Sequence, residues 1–178
     1  MRVIGGEFRS RRIKSVPGLE VRPTPDRLRE ALFNVLALRV AGAVFLDCYA
    51  GSGSVGIEAL SRGAKRVIFV EKNGRALDVL RDNLKSLGIE EKATVARVLA
   101  KEGAADIAFD IAFIDPPYHL EGEYRSALET LSAVGCGLVI AQHATRFALE
   151  ERYGRLTKIR VLRQGDNCLS FFEPSADE

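Results

Sequence analysis

The chain has 178 residues, 47% of them hydrophobic and 28% charged, with a formal net charge of +2. That length suits one domain, and the composition excludes a chain kept open by self-repulsion or low complexity. No apolar run approaches the roughly 20 residues that span a bilayer, so a cytoplasmic protein with no membrane partner is expected. Cys48, Cys136 and Cys168 are odd in number and far apart. With His119 and His143 they form neither a disulfide framework nor a metal site, and they read as reduced packing residues.

From Met1 to Lys14, Arg2, Arg9, Arg11, Arg12 and Lys14 face Glu7 alone. Gly5-Gly6 is a turn signal between β-prone stretches, so a basic β-hairpin arm is predicted, a candidate footprint for a polyanion. A proline-bearing linker, "PGLEVRPTPD", precedes a predicted helix of about 15 residues. Thr24 is its candidate N-cap and Pro25 its first helical residue. The predicted apolar face is Leu28, Ala31, Leu32, Val35 and Leu36, with Arg27, Arg29 and Glu30 mostly outside it.

After Gly42 strands and helices alternate. "AVFLDCYA" reads as a buried strand, "SVGIEALSRG" as a helix, "RVIFVE" as a strand and "GRALDVLRDNLKSLG" as a helix closed by Gly88. "ATVARV" is a weaker strand and "FDIAFID" a strong one. A helix over Tyr124–Ala133, the strand "CGLVIAQ" and a short helix near Ala144–Arg152 follow. The strands "RLTKIRVLR" and "NCLSFFEP", separated by the tight turn "QGDN", predict an antiparallel hairpin at a sheet edge. The alternation implies an α/β fold with a mainly parallel sheet covered on both faces.

Two stretches carry the chemistry. "DCYAGSGSVG" contains Gly51, Gly53 and Gly56 as G-x-G-x-x-G between a strand and a helix, which suits a nucleoside cofactor approached by backbone. Asp47, before the loop, would repel a pyrophosphate but favour an amino group and a sulfonium, as in S-adenosylmethionine. Glu71 ends the next strand, where it can accept ribose hydroxyls. In the second stretch, "IDPPY", two prolines fix the backbone beside the Asp115 carboxylate and the Tyr118 ring, making a stiff extended platform.

At "DCYAGSG" and "DPPY" the chain resembles class I S-adenosylmethionine-dependent methyltransferases that act on exocyclic amino groups of bases. "RVIGGEFRSRRI", "RPTPDRLREALFNVL" and "RQGDNCLSFFEP" narrow the resemblance to the RsmD family of bacterial 16S rRNA guanine-N2 methyltransferases. It covers almost the whole chain. The resemblance implies a Rossmann-like, seven-stranded, mainly parallel sheet with a C-terminal antiparallel hairpin, preceded by a basic arm over 1–22, with the methyltransferase domain over 23–178. It also implies methyl transfer to N2 of a guanine in 16S rRNA, within the small ribosomal subunit, by a monomer that uses S-adenosylmethionine and no metal.

Carried over by position, Asp47, Gly51, Ser52, Gly53 and Glu71 would bind cofactor, with Thr24 and Arg27 as an N-terminal contribution. Asp115, Pro116, Pro117 and Tyr118 would form the catalytic platform. Arg9, Arg11, Arg12 and Lys14 become candidate phosphate contacts, with Phe8 turned inward. The chain departs from many relatives at Arg97 and Val98, where an acidic residue meets the adenine amino group; that leaves the backbone at Val98 as the candidate contact. A DNA amino-methyltransferase would use the same "DPPY" chemistry but lacks an obvious target-recognition domain here. A non-catalytic RNA-binding assembly factor is the alternative from another class, and a nicotinamide oxidoreductase lacks a credible proton-transfer pair.

Overall fold

Short runs of consecutive apolar residues, with no polar alternation, form strands buried on both faces. The computed structural model describes residues 1–17, 25–97, 108–117, 121–134 and 137–175. Two compact units are present, Met1–Leu99 and Ala100–Glu178.

In the first unit, α1 (Asp26–Leu36) is followed by a 3₁₀ turn, then β1 (Val44–Cys48), α2 (Ser54–Ser61), β2 (Arg66–Val70), α3 (Gly74–Leu87) and β3 (Ala93–Ala96). The strands are ordered β3-β2-β1, both pairings parallel, with Asp47 opposite Phe69. Helix α2 is buried along its whole length, and a Cβ on Gly56 would collide with Phe69 and Val67. That glycine lets α2 lie close on β2; Phe69 itself is fully buried, worth about 1.5–3 kcal/mol. Gly88, at φ 67, closes α3 as predicted.

Residues 1–17 fold back on themselves. Val3 N–H donates to Arg11 O (3.0 Å), Ser10 N–H to Val3 O (2.9 Å), and Arg2 and Arg12 form an antiparallel bridge. Val3 and Ile13 are buried and Phe8 is half-buried, while Arg9, Arg11, Arg12 and Lys14 are exposed.

Helix α1 differs from its prediction in two ways. It spans 11 residues from Asp26, with Pro25 in the extended N-cap position (φ -54, ψ 140) and no side-chain cap. Thr24 lies outside the described residues. Its buried face is Leu28, Arg29, Leu32, Phe33 and Leu36, rotated from the predicted one so that Arg29 turns inward. The physical reason is a set of partners, two of them distant in sequence: the Arg29 guanidinium donates to Arg2 O (2.7 Å) and lies 3.8 Å from the buried Glu58 carboxylate, while Asp26, one turn back on α1, accepts from it at 2.9 Å.

The second unit contains β4 (Ile111–Ile114), α4 (Glu121–Val134), β5 (Leu138–Ala144), the two-residue β6 (Arg152–Tyr153), β7 (Leu156–Gln164) and β8 (Asn167–Pro174). Its strand order is β4-β5-β8-β7-β6. β4 and β5 are parallel, and β8 is antiparallel to both β5 and β7. The predicted hairpin forms with Gln164 opposite Asn167 and Gly165 at φ 59. β6 pairs with the start of β7, so β7 is not the last strand at its amino end.

The helix predicted near Ala144–Arg152 is absent. β5 runs on through Ala144, Thr145 N–H donates to Asp166 O (2.9 Å), and Glu150 N–H donates to the Tyr153 hydroxyl (2.9 Å). Backbone groups that a helix would use internally are committed to other segments. Cys48 and Cys168 are buried thiols that form no disulfide, and Cys136 lies outside the described residues. No helix among the described residues is long and apolar enough to cross a membrane.

Candidate active site

The loop after β1 turns sharply. Tyr49 has φ 64, Gly51 φ 56 and Gly53 φ 83. A left-handed tyrosine between a buried strand and a glycine loop stores local strain, a pattern common at binding sites. Residue order alone does not reveal it.

The glycines divide their work. A Cβ on Gly51 would meet nothing within 4 Å, whereas one on Gly53 would collide with Leu80. Gly53 and Gly56 therefore serve packing, and Gly51 leaves the open approach that a cofactor needs. This loop fits an adenosyl cofactor at Gly51.

Both predicted acids hold the loop itself. Glu71 Oε2 accepts from Gly51 N–H (2.8 Å) and Oε1 from Asn73 N–H (2.7 Å), while Asn73 caps α3 through Ala76 N–H (3.1 Å). Asp47 is buried, and its Oδ2 accepts from Gly56 N–H (2.8 Å), inside the first turn of α2. Loss of hydration pushes the Asp47 carboxyl up to about 7, with Glu71 adding to the rise and the Gly56 bond opposing it.

Ser52 is held from a third direction that the sequence did not reveal. The buried Asn83 amide donates to Ser52 O (2.9 Å) and Lys14 O (3.0 Å), and its Oδ1 accepts from Lys14 N–H (2.7 Å). One side chain on α3 thus joins the basic arm to the glycine loop. A buried polar residue on an otherwise apolar helix face was the available signal.

Of the other predicted residues, Arg27 is exposed on α1 and Thr24 and Val98 lie outside the described residues. Lys14 pairs with Asp82 (2.7 Å) and Arg11 donates to Ser86 O (3.1 Å), so both basic heads rest on α3. In the second unit the buried strand β4 delivers Asp115 half-buried, Pro116 buried and Pro117 half-buried; Tyr118 and His119 lie outside the described residues.

The Asp47 environment gives a signed prediction. A carboxyl raised in the folded state stabilises most below its unfolded value near 3.8, and that contribution disappears as pH rises through about 7. His143, held below its ordinary value chiefly by burial, acts oppositely, losing stability as pH falls below about 6.5. Comparison with Asp47→Asn cancels the histidine. The stability of the variant relative to wild type is expected to rise between pH 4 and 7, by up to about 1.4 kcal/mol per pH unit, and then level off. Urea unfolding across that range checks it; a flat difference would mean that Asp47 ionises normally.

The whole chain has known relatives. The model of a family described as "Conserved hypothetical protein 95" matches residues 1–173. YlbH of Bacillus subtilis is 35% identical over 169 residues, covering 90% of this chain and 91% of that protein. Ribosomal RNA small subunit methyltransferase D of Escherichia coli is 40% identical over 123 residues, 66% of this chain and 60% of the relative. The solved structure of yhhF from Escherichia coli superposes with a TM-score of 0.85 at 31% identity and covers 99% of both chains. The glycine loop, the β4 platform and the basic arm thus lie within a stretch matched from end to end, and the chain belongs to the RsmD family.

Proposed function

We propose that this protein transfers a methyl group from S-adenosylmethionine to the exocyclic N2 of a guanine in 16S rRNA, in the small ribosomal subunit. The observation that carries the reading is the "DPP" platform, where a buried parallel strand ends in a carboxylate followed by two prolines. Membership of the RsmD family supports rRNA as the substrate class.

Cofactor binding is assigned to the glycine loop and its acids: Gly51 admits the ligand, Ser52 and Gly53 shape the turn, Glu71 supplies negative charge, and Asp47 is the carboxyl group at the end of β1. Thr24 and Arg27 are the proposed N-terminal contribution. When bound, the cofactor supplies an electrophilic methyl group on a sulfonium.

The chain's own residues must make guanine N2 nucleophilic, because its lone pair is delocalised into the ring. The Asp115 carboxylate and the Pro116 carbonyl are acceptors for the two N2 hydrogens, turning the lone pair out of the ring plane. As positive charge grows on the nitrogen these bonds strengthen, so they favour the transition state over the ground state. The prolines hold both acceptors still. Tyr118 is assigned to stack on a base withdrawn from its helix, worth about 1–3 kcal/mol. Residues 1–22 act as the arm, with Arg9, Arg11, Arg12 and Lys14 on phosphates, and 23–178 as the methyltransferase domain.

The test uses small subunits from cells lacking this gene, labelled S-adenosylmethionine and mass-spectrometric mapping of the product. N2-methylguanine at one 16S position is the expected result. Cofactor binding without transfer to subunits or to their naked RNA would refute the ribosomal assignment.

A further inference from the structure

The longest run of unopposed positive charge lies outside the N-terminal arm. Residues 152–164 contain Arg152, Arg155, Lys158, Arg160 and Arg163 and no acid. Most of this run is β7, where Ile159 and Val161 are 53% and 44% exposed and Arg160 and Arg163 are also exposed. A solvated strand needs some charge, but not of one sign.

Strand directions decide where this charge goes. β4 and β5 are parallel, β8 opposes β5, and β7 opposes β8, so β7 runs in the same direction as β4. The carboxyl end of β7, with Arg163, therefore lies at the same edge of the second unit as Asp115. Arg146 is there too, in the turn after β5, where Phe147 N–H closes on Ala144 O (3.0 Å) and Thr145 N–H reaches the β7–β8 turn at Asp166 O (2.9 Å). Arg163 shares a row with Cys168 and His143, whereas Ile114 aligns with Ala141 and Ser170. Three strand spacings separate β4 from β7, about 14 Å, which is roughly the length of four stacked nucleotides.

Arg146 is exposed, and neither it nor Arg163 forms an ion pair with a described carboxylate. By contrast Arg125 pairs with Glu150 and Lys158 with Glu151. Asp166 in the turn is the only acid from 152 to 167.

Resting on the proposed reading of Asp115, we infer that Arg146 and Arg163 form an RNA-backbone track along this edge, holding phosphates of the strand that flanks the target guanine. Arginine donors suit phosphate oxygens, and such contacts position RNA without reading its sequence. The amino end of β7, where Arg152 of β6 pairs with Thr157, is at the opposite edge and lies off the track.

The test measures binding of the full-length protein to 16S RNA, and to small subunits lacking this modification, over a range of salt concentrations. Loss of two phosphate contacts in Arg146→Ala/Arg163→Ala should reduce the slope of log affinity against log salt by about 1.4. Affinity for S-adenosylhomocysteine should stay as in wild type. Arg152→Ala removes the same kind of charge and should leave the slope unchanged. Because Arg163 lies beside Cys168, Arg146→Glu alone serves as a second variant, expected to weaken RNA binding at least tenfold at low salt. Equal slopes for wild type and double variant, or an equal fall with Arg152→Ala, would overturn the track. Weaker binding to subunits with unchanged binding to RNA would also overturn it, in favour of a ribosomal protein against this edge. The binding slope does not depend on methyl transfer, so failure of the enzymatic reading would be seen separately, as wild-type protein that binds but does not methylate.

Discussion

Asp115→Ala is expected to lower the methyl-transfer rate by about 10²–10³ while leaving cofactor affinity within a factor of two. The magnitude follows from the proposed role, since removing one preorganised acceptor for developing charge typically costs about 2.7–4 kcal/mol of transition-state stabilisation. A half-buried carboxylate at the end of a buried strand cannot be replaced freely by water, because the adjacent prolines leave the backbone little room to adjust. Asp115→Asn should fall between the two, since its amide oxygen still accepts one hydrogen bond but without charge. Single-turnover transfer to saturating subunits isolates the chemical step from binding. An alanine variant with wild-type single-turnover rate would remove Asp115 from the chemistry and leave the platform a strand-ending turn.

The glycine loop was legible because its turn chemistry is local: positive φ at Gly51 and Gly53 is what those residues permit. Strand and helix order was legible for the same reason, as apolar runs bounded by glycine give β1, α2, β2 and α3 almost residue for residue. What failed depended on distant partners. Arg29 looks like a surface residue until Glu58, 29 positions away in the chain, supplies the charge that lets it be buried. The segment after β5 has enough helix-forming residues for a short helix, but the bond from Thr145 to Asp166 takes it into the strand edge. Asp47 and Glu71 were found as acids at strand ends. Their bonds to Gly56 and Gly51 were not foreseen, because periodicity gives the end of a strand and not the direction of a side chain. The carboxyl-edge arginines are not legible in the sequence for a related reason: a charge run gains a location only when strand order is known.

The largest loss of stability is expected from Glu58→Ala. Glu58 is the lone charge in α2 and is fully buried; its carboxylate accepts from Ile4 N–H, Gly5 N–H and Arg62 Nε, each at 2.8 Å. Its removal leaves the Arg29 guanidinium, also fully buried, with only the half-exposed Asp26 as counter-ion. Breaking a buried pair on one side costs about 3–5 kcal/mol, so for a chain of this size the melting temperature should fall by about 6–20 °C. A double-mutant cycle separates the ion pair from the backbone anchoring. Arg29→Met combined with Glu58→Leu should recover part of the loss, because no charge is then stranded, but not all of it, because Ile4 and Gly5 lose their acceptor. The residual loss should appear at the arm: protease cleavage within residues 1–17 should become faster than in wild type at a temperature where the rest of the chain stays folded. If the double variant instead loses the sum of the two single losses, the Arg29–Glu58 pair contributes nothing beyond what each side chain gives its other partners. The basic arm would then be fastened to α2 by its main chain alone, through the Glu58 acceptors and the bond from Glu7 N–H to Ser61 O.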